Sequence, residues 1–218
     1  NFCINDLGGF YLDIIKDRQY TTKTDSQARR SAQTALYHIV QAFIRWMSPI
    51  LSFTAQEAWP LIPEQSEKYV FMSEWYQIPV ASTANLISEE NWQTLITVKS
   101  AVNKQIEAAR NAKLVGSNLS AKVELWAQPA LKSILDQLGN ELRFVLITSQ
   151  VIVHDFEEAG ESTELEGLRV KVSAAEGEKC ARCWHVLPDV NTHAGHPSIC
   201  GRCLINLPSG QGEERKYA

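Results

Sequence analysis

Four cysteines, Cys180, Cys183, Cys200 and Cys203, occur in the stretch EKCARCWHVLPDVNTHAGHPSICGRC as two Cys-x-x-Cys pairs sixteen residues apart. One tight turn presents two thiolates to one metal, a second such turn completes a tetrahedron, and the spacing matches a four-cysteine zinc site. Four protein thiolates leave no position open for water, so such an ion folds its module and performs no catalysis. Two other chemistries use paired cysteines. A disulfide framework belongs to secreted chains, and here nothing indicates secretion while the fifth cysteine, Cys3, would be left over. A redox dithiol uses one pair at a strand-to-helix junction rather than two matched pairs in a loop-rich stretch. Imidazole also binds zinc, so ligation by His185, His193 or His196 in place of a cysteine stays open as the weaker alternative. Arg182, Trp184, His185 and Arg202 flank the cysteines. Beside a zinc knuckle, such side chains contact phosphate or stack on a base; the competing reading is that Trp184 packs the ribbon against its neighbour.

The elements that must position this module read as helices first. From Arg29 the residues Ala32, Leu36, Ile39, Val40, Phe43, Trp46 and Met47 keep helical spacing, and Pro49 ends the run. Thr54 and Glu57 form a capping-box pattern behind Phe53, which restarts a helix. Ser88 is a cap for a third helix, with Glu89 and Glu90 in its first turn and a stripe of Trp92, Leu95, Ile96, Val102, Ile106 and Ala109. After Gly116 the period becomes two: AKVELW reads as a strand, PALKSILDQLGNELRF as helix, FVLITSQVIVHDF as a second strand, and LRVKVS as a strand leading into the cysteines. The tail PSGQGEERKYA reads as disordered.

A net charge of −4 argues against a general polyanion binder. Residues 1–113 balance eleven Lys and Arg against eleven Asp and Glu, while HDFEEAGESTELEG carries six acids and no base. A nucleic-acid partner would therefore meet local basic patches. No run of about 18 apolar residues indicates a membrane span. The opening NFCINDLGGFYLDIIKDRQY already has helical spacing and no signal-peptide pattern, as expected for a chain cut from something longer.

Taken in order, DLGGFYLDIIKDRQYT, ALYHIVQAFIRWMSPILSFTAQEAW, VFMSEWYQIP, VNKQIEAARNAKLVGSNLSAKVELW, ELRFVLITSQVIV, AEGEKCARCWHVLPDV and CGRC resemble the C-terminal region of bacterial isoleucyl-tRNA synthetases across almost the whole chain. The resemblance implies a mainly α chain: a helical anticodon-binding bundle over 1–80, a small helix-plus-strand subdomain over 81–154 and a zinc ribbon over 168–207; between them the acidic segment 155–167, ending in Gly167, reads from its composition as a linker, and 208–218 as a flexible tail. The resemblance also implies one structural zinc and, as partner, the anticodon stem-loop of isoleucine tRNA, in a cytoplasmic, monomeric enzyme with no membrane contact. Candidate tRNA-facing residues are Lys16 and Arg18 of the KDR motif, Arg29 and Arg30, Lys99, Lys104, Arg110 and Lys113, and Arg182, Trp184, His185 and Arg202 at the knuckle. HIGH-like and KMSKS-like motifs and an editing domain are missing, so ATP and magnesium belong to the parent's catalytic domain and this region is not catalytic. Two alternatives accompany this reading. One is a DNA-binding finger of the DNA-glycosylase type, which needs an N-terminal catalytic proline and a helix-two-turn-helix region not visible here; the other is a zinc module that only docks the terminal domain.

Overall fold

The computed structural model describes residues 1–80 and 87–218, so the first residues of the expected 81–154 subdomain lie outside the described residues. A π-helical segment, Cys3–Tyr11, runs into α1 (Leu12–Ile14) and α2 (Lys16–Thr21). Helix α3 (Gln27–Met47) begins where the Ser26 hydroxyl accepts the Arg29 N–H at 3.2 Å and ends before Pro49, as the pattern predicts. Helix α4 (Ser52–Ala58) departs from expectation, because the Thr54 capping box does not form. The N–H groups of Ile50 and Leu51 already turn back onto the Met47 carbonyl, so the helix starts before Thr54 can cap it, and Ser52 Oγ donates to Ser48 O at 2.9 Å. Helix α5 (Glu89–Asn111) is capped by Ser88, whose hydroxyl accepts the Asn91 N–H at 3.2 Å.

The chain divides into two compact units, Arg30–Ala84 and the combination of Asn1–Arg29 with Asn85–Ala218. The first has a small core of Ile44, Ala55, Trp59, Ile62 and Val70. Its centre is Trp59, whose indole N–H donates to Glu67 O at 2.8 Å and whose ring lies under the Arg45 guanidinium.

The second unit is built on a sheet. Strand β1 (Ala121–Ala127) leads through α6 (Pro129–Leu138) and α7 (Leu142–Leu146) to β2 (Gln150–Asp155), then β3 (Glu161–Ser162) and β4 (Leu168–Ala174). The order is β2-β1-β4-β3, with β1 parallel to β2 and antiparallel to β4. Val123, Leu125 and Ala127 lie on one face opposite Val172, Val170 and Leu168, and join Leu95, Val102 and Ile106 of α5 in the main core. Strands β5 (Glu178–Lys179) and β6 (Val186–Leu187) pair beside the cysteines, and α8 (Gly201–Ile205) closes the knuckle. About half of the described residues are helical, with this small mixed sheet beside them. None of the described helices is long and apolar enough to cross a membrane.

Several local expectations change. FVLITSQVIVHDF divides into α7 and β2, because Val145 and Leu146 are buried in the core as helix and Ile147, at φ +56°, turns the chain before the strand. The acidic stretch carries β3, and Gly160, at φ +72°, sits where a Cβ would lie 2.9 Å from Val170 O. LRVKVS forms the expected strand ahead of the cysteines, and its pairing partner is β1 of the main sheet. The end of the tail packs: Arg215 and Ala218 are buried, and the Glu141 carboxylate accepts the N–H groups of Lys216, Tyr217 and Ala218 at 2.7 to 2.8 Å.

Candidate metal centre and nucleic-acid interface

Two turns bring the four cysteines together. In the first, Cys180 N–H donates to His185 O and Trp184 N–H to Cys180 O, both at 2.9 Å, so the chain loops back on itself with Trp184 at φ +66°. In the second, Cys200 opens α8 and Asp189 Oδ2 accepts the Gly201 N–H at 2.7 Å, which fixes the start of that helix. All four sulfurs are buried and lie within 4.8 Å of one another, with Cys183 and Cys200 at 3.8 Å. A zinc–sulfur bond of about 2.3 Å gives a tetrahedron edge of about 3.8 Å, so the donor set and its spacing fit one zinc ion. Without metal, hydrogen bonds from Cys200 and Cys203 pull the Cys183 thiol far down, while Cys200 is pushed up to about 12 chiefly by its bond to Cys183. Zinc is ligated by thiolates, so its binding displaces the protons the thiols carry and strengthens as pH rises.

Charge pairs tie the knuckle to α2. Arg202, on α8 next to Cys203, forms a fork to Asp17 at 2.6 and 2.7 Å, and Arg215 donates to the same carboxylate at 2.5 Å. Burial pushes Asp17 up, but the two guanidiniums outweigh it and hold the carboxyl at about 2. The Phe144 ring lies under this group, 3.6 Å from the Arg215 guanidinium and 5.0 Å from that of Arg202. Together these give Arg202 a structural task, and the expectation that it faces RNA is corrected.

Two more candidate cations are corrected in the same way. Arg18 is buried and its Nε donates to Ala28 O at 2.8 Å; Lys99 is buried and donates to Val145 O at 2.8 Å, with burial lowering its pKa to about 8. Lys16, Arg30, Lys104, Arg110 and Lys113 are exposed, and Arg29 is half-buried. Lys16 pairs with Asp13 at 2.8 Å, Arg110 with Glu107 at 3.0 Å, and Lys104 with Glu164.

Between α2 and the knuckle lies a cavity of about 400 Å³, walled by Ile14, Tyr20, Leu119, Phe144 and Trp184, with Lys16 and Arg182 also lining it. Trp184 is 61 % exposed and the Lys179 ammonium lies 5.5 Å from its ring centroid. A bulky residue in the left-handed region is strained by about 1 to 3 kcal/mol. His185, by contrast, is 2 % exposed; it lines the cavity floor with neither ring nitrogen hydrogen-bonded and packs edge-on against Phe144. Arg182 is half-buried and donates to Cys203 O at 3.0 Å. Sequence reasoning passed over Asp17, Glu141 and Arg215 as site residues; no periodicity or local spacing marks them, since the partners that tie them to the site, Arg215 for Asp17 and the 216–218 backbone for Glu141, are 75 to 198 residues away.

Comparison with known proteins gives two family matches. The anticodon-binding domain of tRNA ligase matches residues 1–125, and the zinc finger found in FPG and IleRS matches residues 177–205. Among curated proteins, an isoleucine–tRNA ligase of Acinetobacter baylyi is 81 % identical over all 218 residues, which make up 23 % of that relative. Isoleucine–tRNA ligases of Chromohalobacter salexigens and Sodalis glossinidius are 53 % and 51 % identical over 100 % and 99 % of the chain and 24 % of each relative. The chain thus spans about a quarter of the length of the curated relatives it matches.

Proposed function

The chain belongs to the family of tRNA-ligase anticodon-binding domains, and on that premise we propose that it is the anticodon-gripping region of an isoleucine–tRNA ligase. The parent protein joins isoleucine to its tRNA using ATP and magnesium held in a catalytic part outside this chain, acting as a cytoplasmic monomer. In this reading Arg30–Ala84 forms the helical bundle's separate unit and the knuckle closes on the anticodon loop. The observation that carries it is Trp184, an exposed indole on a strained turn at the edge of a cavity that Lys16 and Arg182 also line.

Single-stranded RNA loops offer unstacked bases and phosphates, and aromatic stacking with scattered cations suits both on a slightly acidic protein. Trp184 and Tyr20 supply stacking faces, Lys16, Lys179 and Arg182 neutralise phosphate, and the apolar cavity walls exclude water from a base edge. Zinc, held by Cys180, Cys183, Cys200 and Cys203, supplies the fold of the knuckle. Arg29, Arg30, Lys104, Arg110 and Lys113 add outlying phosphate contacts. The match to an anticodon-binding domain over 1–125 favours this over a DNA-glycosylase-type finger. A docking role for the knuckle coexists with it, since Arg202 and Asp17 join the knuckle to α2. The test is binding by the intact ligase: affinity for isoleucine tRNA exceeds that for other tRNAs and falls as salt is raised. Equal affinity for all tRNAs would contradict it.

A further inference from the structure

Two facing walls of the cavity come from segments far apart in the sequence, with Leu119, Phe144 and Ile147 of the sheet unit completing the lining. Asp13, Ile14, Lys16, Asp17 and Tyr20 belong to the opening segment, and Arg182 to His185 belong to the knuckle. Their separation sets what fits between them, so whatever joins them sets recognition. The polar join is the Arg202–Asp17 fork, and the tail braces it from both sides. Glu213 reaches Arg202 at 3.1 Å and Arg215 at 3.5 Å, closing a ring in which Asp17 and Glu213 alternate with the two guanidiniums. Asn206 of the knuckle accepts the Lys23 N–H at 3.1 Å and the Glu213 N–H at 3.2 Å, which anchors the tail to the turn after α2. Arg215 is turned inward onto the Phe144 ring while its neighbours Glu214 and Lys216 are exposed. Beyond it, Glu141 accepts three successive backbone N–H groups. A segment that packs without bridging would not need a buried, charge-balanced ring at one end and a triple carboxylate anchor at the other.

We propose that residues 213–218 are a clamp that holds the knuckle at a fixed distance from α2, with Arg215 and Glu141 as positioning residues for RNA recognition. Neither residue touches RNA; Arg215 acts through Asp17 and Arg202, and Glu141 holds the segment that aims Arg215. The proposal rests on the anticodon-binding reading. Loss of the clamp leaves the metal and the parent's chemistry in place and blurs only the tRNA-facing geometry.

The experiment uses the intact ligase and measures KM for isoleucine tRNA, kcat, isoleucine-dependent ATP–pyrophosphate exchange and zinc content. Arg215→Ala is expected to raise KM for tRNA about tenfold, the effect of losing a charge-assisted hydrogen bond, with exchange unchanged and one zinc retained. Arg215→Lys restores the charge but not the planar face on Phe144 and recovers part of the loss. Glu141→Gln, a milder change that keeps Arg215, raises KM less and reports on the clamp even where Arg215→Ala folds poorly. Lower thermal stability with an unchanged KM in Glu141→Gln and in folded Arg215→Ala would overturn the clamp. Trp184→Gly separates the two readings. An unchanged KM there removes the RNA-facing role itself, whereas a raised KM there beside normal Arg215 and Glu141 variants removes only the clamp.

Discussion

Between residues 178 and 205 the buried apolar side chains are four cysteines and Val190, with Leu187 and Ile199 partly buried against them. The sheet and its helices instead bury Leu95, Val102, Ile106, Leu125, Leu135 and Leu146 almost completely. Each large apolar side chain in the second set contributes about 1.5 to 3 kcal/mol, and there are many. Five small groups cannot order some thirty residues, each costing about 1 to 2 kcal/mol of backbone entropy. The knuckle therefore depends on its metal, and what it gains is surface: with little of its chain committed to a core, it holds Trp184 outward and Arg202 inward within a few residues of the ligands.

The largest break of this comparison is Cys203→Ser. It should abolish stable zinc binding, an interaction of about 10 to 16 kcal/mol in zinc-finger peptides, and unfold the knuckle while hydrogen-exchange protection in β1 and α5 persists. Collapse of both regions together would show that they are one cooperative body.

Asp17→Asn attacks the join between them. Removing one partner of a buried ion pair costs about 3 to 5 kcal/mol, read by denaturant unfolding at neutral pH. The native Asp17 titrates near 2 against an ordinary 3.8, so its share of stability is complete above about pH 5 and is lost as pH falls through that window. The gap between wild type and Asp17→Asn should thus narrow by about 2 kcal/mol on acidification toward pH 2. A gap that does not change with pH would contradict the pairing.

Leu125→Ala should cost the sheet about 2 to 5 kcal/mol and leave zinc content unchanged, measured by unfolding and metal analysis on one preparation.

What was legible in the sequence follows the same division. The zinc ligands were readable because their geometry is set by two local turns, and α3 and α5 because an amphipathic period repeats over six turns. The cations were misread where burial depends on remote acceptors. Lys99 belongs to a basic helix in sequence, yet Val145 O, 46 residues on, receives its ammonium. Arg18 and Arg202 looked like phosphate ligands for the same reason, since type and neighbours say nothing about a carbonyl or carboxylate arriving from elsewhere. In α7, core packing overrode β-branched propensity. The tail, low in apolar residues, is held by charge pairs and one carboxylate anchor that no periodicity announces.

The most direct measurement concerns Trp184. Its φ of +66° suits glycine and its indole is largely exposed, so Trp184→Gly should change stability by no more than about 1 kcal/mol. In the intact ligase the same change should weaken isoleucine-tRNA binding roughly tenfold, as loss of one stacked base does, with isoleucyl-adenylate formation unaltered. Unaltered tRNA affinity, or a loss of stability by several kcal/mol, would contradict the account and leave Trp184 as a packing residue of the knuckle.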